Sequence, residues 1–282
     1  MDKQEIFEYF IKEKSQFYSV DTLKYYPRHI KKFLDYCPKD IKDITEVDII
    51  SWLSHLKKEG NNENTRRLCL TILKTFFKFC VKKNIISSNP TLEISKIKVP
   101  QRDYFIITEE DFWILDEACK GHLRDRAMLN VFFYSGVRPQ ELINIKIEDI
   151  DFNDNTISIL KGKGCKKRHV VFTSRCAVII KEYLSTRNDD CPYLFINKFG
   201  KRFSTNRNTP LQRILDKYQQ KIDFHQKVNC NILRHSFASN VDDKGLDIEH
   251  TASLMGHKYL YTTKIYLHNR TKRLNKIHKK HF

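Results

Sequence analysis

Four stretches in the first third of the chain place apolar residues at three- and four-residue intervals, the spacing of helices with one buried face. In "DKQEIFEYFIKEK" the residues on that face are Ile6, Phe7, Phe10 and Ile11. "DTLKYYPRHIKKFLDYC" opens at Asp21, a suitable cap, and aligns Leu23, Tyr26, Ile30, Phe33 and Leu34. Pro27 in its middle implies a kink or a later start. "TEVDIISWLSHLKKEG" begins with Thr45 and Asp48 in a capping-box pattern and closes at Gly60. "NTRRLCLTILKTFFKFCVKKN" is amphipathic throughout. Together they predict a compact helical bundle with Lys and Arg on its outer faces.

The periodicity stops at "SSNPTLEISKIKVPQRDYF" (87–105), where two prolines and no long apolar repeat read as a connection between domains. The reading is a helical domain over 1–98, a linker over 99–106 and a second domain over 107–282. In the second, "TEEDFWILDEAC" predicts a helix capped by Thr108, and "HLRDRAMLNVFFYSG" one ended by Gly136. "IDFNDNTISILKGKGCKKRHVVF" alternates apolar and polar residues around turn-forming Asn, Asp and Gly, which predicts a three-stranded sheet. After Ser174 the pattern is helical again, apart from a short strand at "YLFIN". The fold class is mainly α with a small antiparallel sheet: a helical N-terminal domain plus a mixed α+β domain.

Charge narrows the function. The 282 residues carry 51 Lys and Arg against 34 Asp and Glu, a formal net charge of +17. Residues 1–99 hold 19 basic and 13 acidic groups, leaving 32 and 21 for the rest, so both parts are basic. Such a chain is drawn to polyanions, nucleic acid first among them, although a Lys-rich surface alone gives the same balance. The eight cysteines show no CxxC and no zinc-ligand spacing, and read as mostly buried, reduced thiols. The N-terminus fits neither a signal peptide nor a membrane span, and the expected location is the cytoplasm.

Four segments carry chemistry. In "YSGVRPQELINIKIEDI", Arg138 follows a helix-ending Gly136 and has Glu141 three residues on. A guanidinium held by a carboxylate at a helix junction suits phosphate binding, and alone the segment also fits an ordinary surface ion pair. "LKGKGCKKRHVV" puts Lys163 between Gly162 and Gly164 at a hairpin tip, either a proton donor delivered to a ligand or a solvated basic turn. "NCNILRHSFASNV" offers Arg234 and His235 on a helix, and "LMGHKYLYTTKIYLH" follows with two histidines and three tyrosines.

Read in order, "SGVRPQEL", the hairpin "GKG", "LRHSFAS", "LMGH" and "TTKIYLH" resemble the tyrosine recombinase (phage integrase) family, in its Xer-like branch. The match spans roughly 105–268, and the helical first third resembles that family's core-binding domain. The resemblance implies Arg138 and Arg234 as phosphate-gripping arginines, Glu141 as their supporting acid and Lys163 as general acid. It implies His257 as the late histidine, Tyr266 as nucleophile and His235 as supporting structure. Asn231 departs from the pattern, standing where the family has a histidine three residues before the second arginine. Asn can donate to a phosphate oxygen but exchanges no proton near neutral pH, so a proton acceptor would come from His257 or His225.

The implied function is a site-specific DNA recombinase that cuts and rejoins double-stranded DNA through a 3′-phosphotyrosine and a four-way (Holliday) junction. It would act as a tetramer on inverted repeats, with no metal or nucleotide cofactor. The basic end "NRTKRLNKIHKKHF" then reads as a segment that packs into a neighbouring protomer, or else as a solvated tail. The alternative is a sequence-specific DNA-binding protein on the same fold with weakened catalysis, which Asn231 favours. Strand relaxation of the topoisomerase kind is a third, related chemistry.

Overall fold

The structure, a computed structural model, describes residues 1–18, 20–100, 105–160, 168–204, 210–222, 224 and 226–256. The chain divides into two compact units, Met1–Arg102 and Asp103–Phe282.

Among its described residues the first unit contains four α-helices, α1 (Lys3–Ser15), α2 (Val20–Tyr36), α3 (Glu46–Lys58) and α4 (Glu63–Lys82). Local chemistry starts and stops them. Asp2 and Glu5 form a capping box on α1, Thr45 N–H donates to Asp48 Oδ2 at 2.8 Å on α3, and Asn62 Oδ1 accepts from Thr65 N–H on α4. Gly60, with φ +81°, turns the chain after α3. α2 differs from expectation, because it begins at Val20, ahead of Asp21, and runs through Pro27. The proline removes the N–H that would have met the Leu23 carbonyl, yet the helix continues because Ile30, Phe33 and Leu34 are buried in the bundle. Phe10 meets Phe76 and Phe79 edge-on at 5.3 and 5.2 Å, and Phe33 meets Trp52 at 5.2 Å. These rings make the centre of the core.

The second unit is built around α6 (Leu123–Ser135), which is preceded by α5 (Glu109–Ala118) and followed by the one-turn α7 (Pro139–Leu142). Phe112 of α5 stacks on Phe133 of α6 with centroids 4.0 Å apart. Asp116, buried in α5, accepts from Arg126 Nε and Nη2 at 2.9 Å, from Asn130 at 2.7 Å and from Arg175 at 2.7 Å. That network fixes α5 and α6 to α8 (Ser174–Ser185) with every partner charge-assisted. The strands β1 (Ile150–Asp151), β2 (Thr156–Ile159) and β3 (Arg168–Val171) form an antiparallel sheet in the order β1-β2-β3. "YLFIN" makes no strand. Tyr193 and Ile196 form isolated bridges to two different partners, Lys146 and Arg202, so no continuous ladder builds up.

The register of β2 and β3 positions one side chain of consequence. Ile157 pairs with Val170 and Ile159 with Arg168, so the period-two alternation points Arg168 into the core side with three aliphatic residues. The remaining helices among the described residues are α9 (Pro210–Lys221), α10 (Cys230–Asp243) and α11 (Ile248–Met255). No described helix is long and apolar enough to cross a membrane.

Candidate active site

Two helices of the second unit end in the same way. α6 stops at Gly136 (φ +60°) and α11 at Gly256 (φ +64°), both in the left-handed conformation that glycine adopts without penalty. A helix end leaves carbonyl oxygens without intrahelical partners and carries a partial negative charge, so it attracts cations. Here arginines fill that role. Arg168 Nε donates to the Leu254 carbonyl at 3.1 Å, Arg234 Nη2 to Met255 at 2.6 Å and Arg138 Nη2 to Gly256 at 2.8 Å. Arg234 Nη1 also donates to the carbonyl of Gly136. Three successive carbonyls of one helix end thus take guanidinium donors from the α6–α7 junction, β3 and α10.

Glu141 joins two of these arginines. Its carboxylate accepts from Arg138 Nη1 at 3.0 Å, from the Arg138 backbone N–H at 2.7 Å, and from Arg168 Nη1 and Nη2 at 2.8 and 2.7 Å. Pro139 at the first position of α7 makes this local, since it sets Arg138 as the N-cap and Glu141 at the third helical position. Burial alone would raise the Glu141 pKa. The bonds from Arg168 and Arg138 outweigh it and hold the carboxyl down at about 2. The side chain of Arg138 is 43% exposed, whereas that of Arg168 is 8% exposed.

The structure therefore brings Arg138, Glu141 and Arg234 together. Asn231 lies on α10 one turn before Arg234, in the first turn of the helix, and is exposed. His235 is half-buried beside Arg234. Burial, and after it the charge of Arg234, pushes its pKa to about 4, so it is neutral at pH 7. Lys163, His257, Tyr266 and His225 lie outside the described residues, as do Tyr259, Tyr261 and the basic end. The sequence reading does not single out Arg168, because it treats this segment as a strand and a hairpin tip whose chemistry rests on Lys163. The signal was the β3 pattern itself: an arginine at a core-facing position, in register with Ile159, requires a buried carboxylate.

The first unit presents a second candidate surface. Arg67, Lys74, Lys78 and Lys82 recur along one face of α4, and with Lys14 and Lys96 they line a groove of about 730 Å³. A row of cations at this spacing on a helix suits a chain of phosphates.

The comparisons with known proteins agree on both units. The phage integrase family model matches residues 107–273, and the model of the family's N-terminal SAM-like domain matches residues 5–87. Tyrosine recombinase XerC of Leptospira interrogans (serovar copenhageni) is 31% identical over 276 residues, covering 93% of this chain and 88% of the relative. Tyrosine recombinase XerA of Pyrococcus furiosus is 33% identical over 252 residues, covering 88% and 83%. A crystal structure of XerA recombinase superimposes with a TM-score of 0.58 at 27% identity, covering 98% of each chain. The fold is also that of XerH site-specific recombinase bound to a palindromic difH substrate, with a TM-score of 0.77 at 22% identity over 96% of this chain and 82% of that one. Matched in sequence over both units and in fold, the chain belongs to the phage integrase family as an Xer-like tyrosine recombinase.

Proposed function

We propose that the protein cleaves and rejoins DNA at a specific site through a covalent bond between Tyr266 and a 3′-phosphate. The observation that carries the chemistry is the convergence of Arg138 and Arg234 on adjacent carbonyls, Gly256 and Met255, with Glu141 already neutralised by a second arginine. Two guanidiniums gathered this closely would stabilise the charge that builds on a phosphodiester under attack.

In the step proposed, the Tyr266 oxygen attacks phosphorus, the bond to the 5′-oxygen breaks, and Lys163 supplies the proton that the departing oxygen needs. Asn231 would donate to a non-bridging oxygen. Proton removal from Tyr266 would fall to His257, with the phenolate favoured by the nearby cations. The phosphotyrosine ester keeps the bond energy for religation, which closes either the original strand or a partner strand. Exchange of both strand pairs would run through a Holliday junction within a tetramer assembled on inverted repeats. The basic groove of the first unit would hold the DNA backbone, as befits a core-binding domain, and the reaction would take place in the cytoplasm, where the chromosome is.

The test begins with a duplex site that the full chain itself selects from a random-sequence library. On that site carrying a nick, the wild-type chain forms a covalent protein–DNA adduct that survives denaturation, and Tyr266→Phe forms none while binding equally. Binding by wild type without any adduct would favour the DNA-binding reading that Asn231 raises. In that event Asn231→His should restore adduct formation.

A further inference from the structure

Arg168 stands apart from the other two arginines at the end of α11. Each of its three guanidinium nitrogens donates to a protein oxygen: Nη1 and Nη2 to the two oxygens of Glu141, and Nε to Leu254. It is buried, so it is not placed to meet a substrate. Gly256 packs against it so closely that a Cβ there would lie 2.8 Å from Arg168 Cζ. Arg138 is the opposite case. It is half-exposed and gives Glu141 only one side-chain nitrogen, Nη1, turning Nη2 toward Gly256.

The division of Glu141 between the two arginines has a consequence for charge and direction. Three guanidiniums and one carboxylate sum to +2; without Arg168 the cluster would fall to +1. Glu141 would then have Arg138 as its one cationic partner among these groups. A carboxylate and a guanidinium left alone favour the two-pronged geometry, which would draw both ends of Arg138 away from any phosphate.

We propose that Arg168 is a positioning residue for DNA cleavage: by occupying both oxygens of Glu141 it keeps Arg138 turned outward for the scissile phosphate. Leu254 and Gly256 hold Arg168 in the orientation this requires. The inference rests on the cleavage reading above, and its test separates the two.

The experiment measures single-turnover adduct formation by the full chain on the self-selected nicked duplex, with binding followed by mobility shift and folding by thermal unfolding. Wild type must form the adduct; if it does not, the cleavage reading fails and this proposal with it. Arg168→Gln is expected to bind within about threefold of wild type yet form the adduct about 10²-fold more slowly, the scale of a misplaced catalytic group. Arg168→Lys restores the charge without the fork and should remain slow. Adding Glu141→Gln to Arg168→Gln should raise the rate above that of Arg168→Gln alone, because Arg138 is then released from the carboxylate. A duplex with a methylphosphonate at the scissile position carries no charge there, so the defect of Arg168→Gln should shrink on it. Equal slowing on both duplexes, with no gain in the double variant, would mean that Arg168 only supports the fold and would overturn the proposal. So would an Arg168→Gln chain that cleaves as fast as wild type.

Discussion

Arg168 donates both terminal nitrogens of its guanidinium to the two carboxylate oxygens of Glu141, at 2.8 and 2.7 Å, from 27 residues away in the chain. Arg168 is buried, Glu141 is partly buried and the pairing is two-pronged, so removing one partner is costly and removing both is much less so. Glu141→Gln alone leaves a cation in the interior and is expected to lower stability by about 3–5 kcal/mol in urea unfolding. Glu141→Gln with Arg168→Met removes both charges and should recover more than half of that loss. Equal destabilisation by the single and double variants would show that the pair is not a coupled unit.

His235 and Glu141 set two separate windows of acid sensitivity. His235 titrates at about 4 in the fold against 6.5 otherwise, so the unfolded chain binds its proton first and stability falls as pH drops from 6.5 to 4. Glu141, at about 2 against 4.5, stabilises the fold above pH 4.5 and loses that contribution as pH falls through 2. His235→Gln should flatten the upper window and leave the lower one. An unchanged slope between pH 6.5 and 4 would contradict the assignment.

The two helix-ending glycines should not tolerate alanine equally. Both sit in left-handed backbone, but a Cβ at Gly136 would fall 2.2 Å from the buried ring of Phe237, and one at Gly256 would meet the end of a side chain, Arg168. The backbone penalty and the overlap together should lower the stability of Gly136→Ala by about 2–4 kcal/mol, more than Gly256→Ala. Phe237→Leu should relieve part of the Gly136→Ala loss in a thermal unfolding series, and no relief would sink the packing explanation.

Legibility in the sequence followed the range of the interaction. The caps at Thr45, Asp48 and Thr108 and the stop at Gly136 rest on neighbours three or four residues away, and the structure has them where the local pattern predicts. Arg138 with Glu141 was readable for the same reason, since Pro139 starts α7 between them. Arg168 was hidden because its partners are 27 and 86 residues distant, and only the sheet register turns it inward. The helix through Pro27 went against local propensity because the bundle buries the residues beyond it. "YLFIN" reads as a strand by composition, but a strand needs a partner edge, and only single bridges form there.

The groove along α4 makes a separate prediction about affinity. Lys74→Gln, Lys78→Gln and Lys82→Gln in one chain should weaken DNA binding across all sequences, because phosphate contacts position the protein and do not read bases. Each lost contact should reduce the slope of log affinity against log salt by about 0.9. A change in the selected sequence with an unaltered slope would mean that this face reads bases.

Tyr266 carries the central claim, and peptide mapping of the trapped adduct tests it most directly. Trypsin separates the peptide 265–270, which contains Tyr266, from 259–264, which contains Tyr259 and Tyr261. After nuclease digestion, the expected result is a nucleotide 3′-phosphate on the 265–270 peptide and none on its neighbour. A modified Tyr259 or Tyr261, or DNA bound with no modified tyrosine at all, would contradict it.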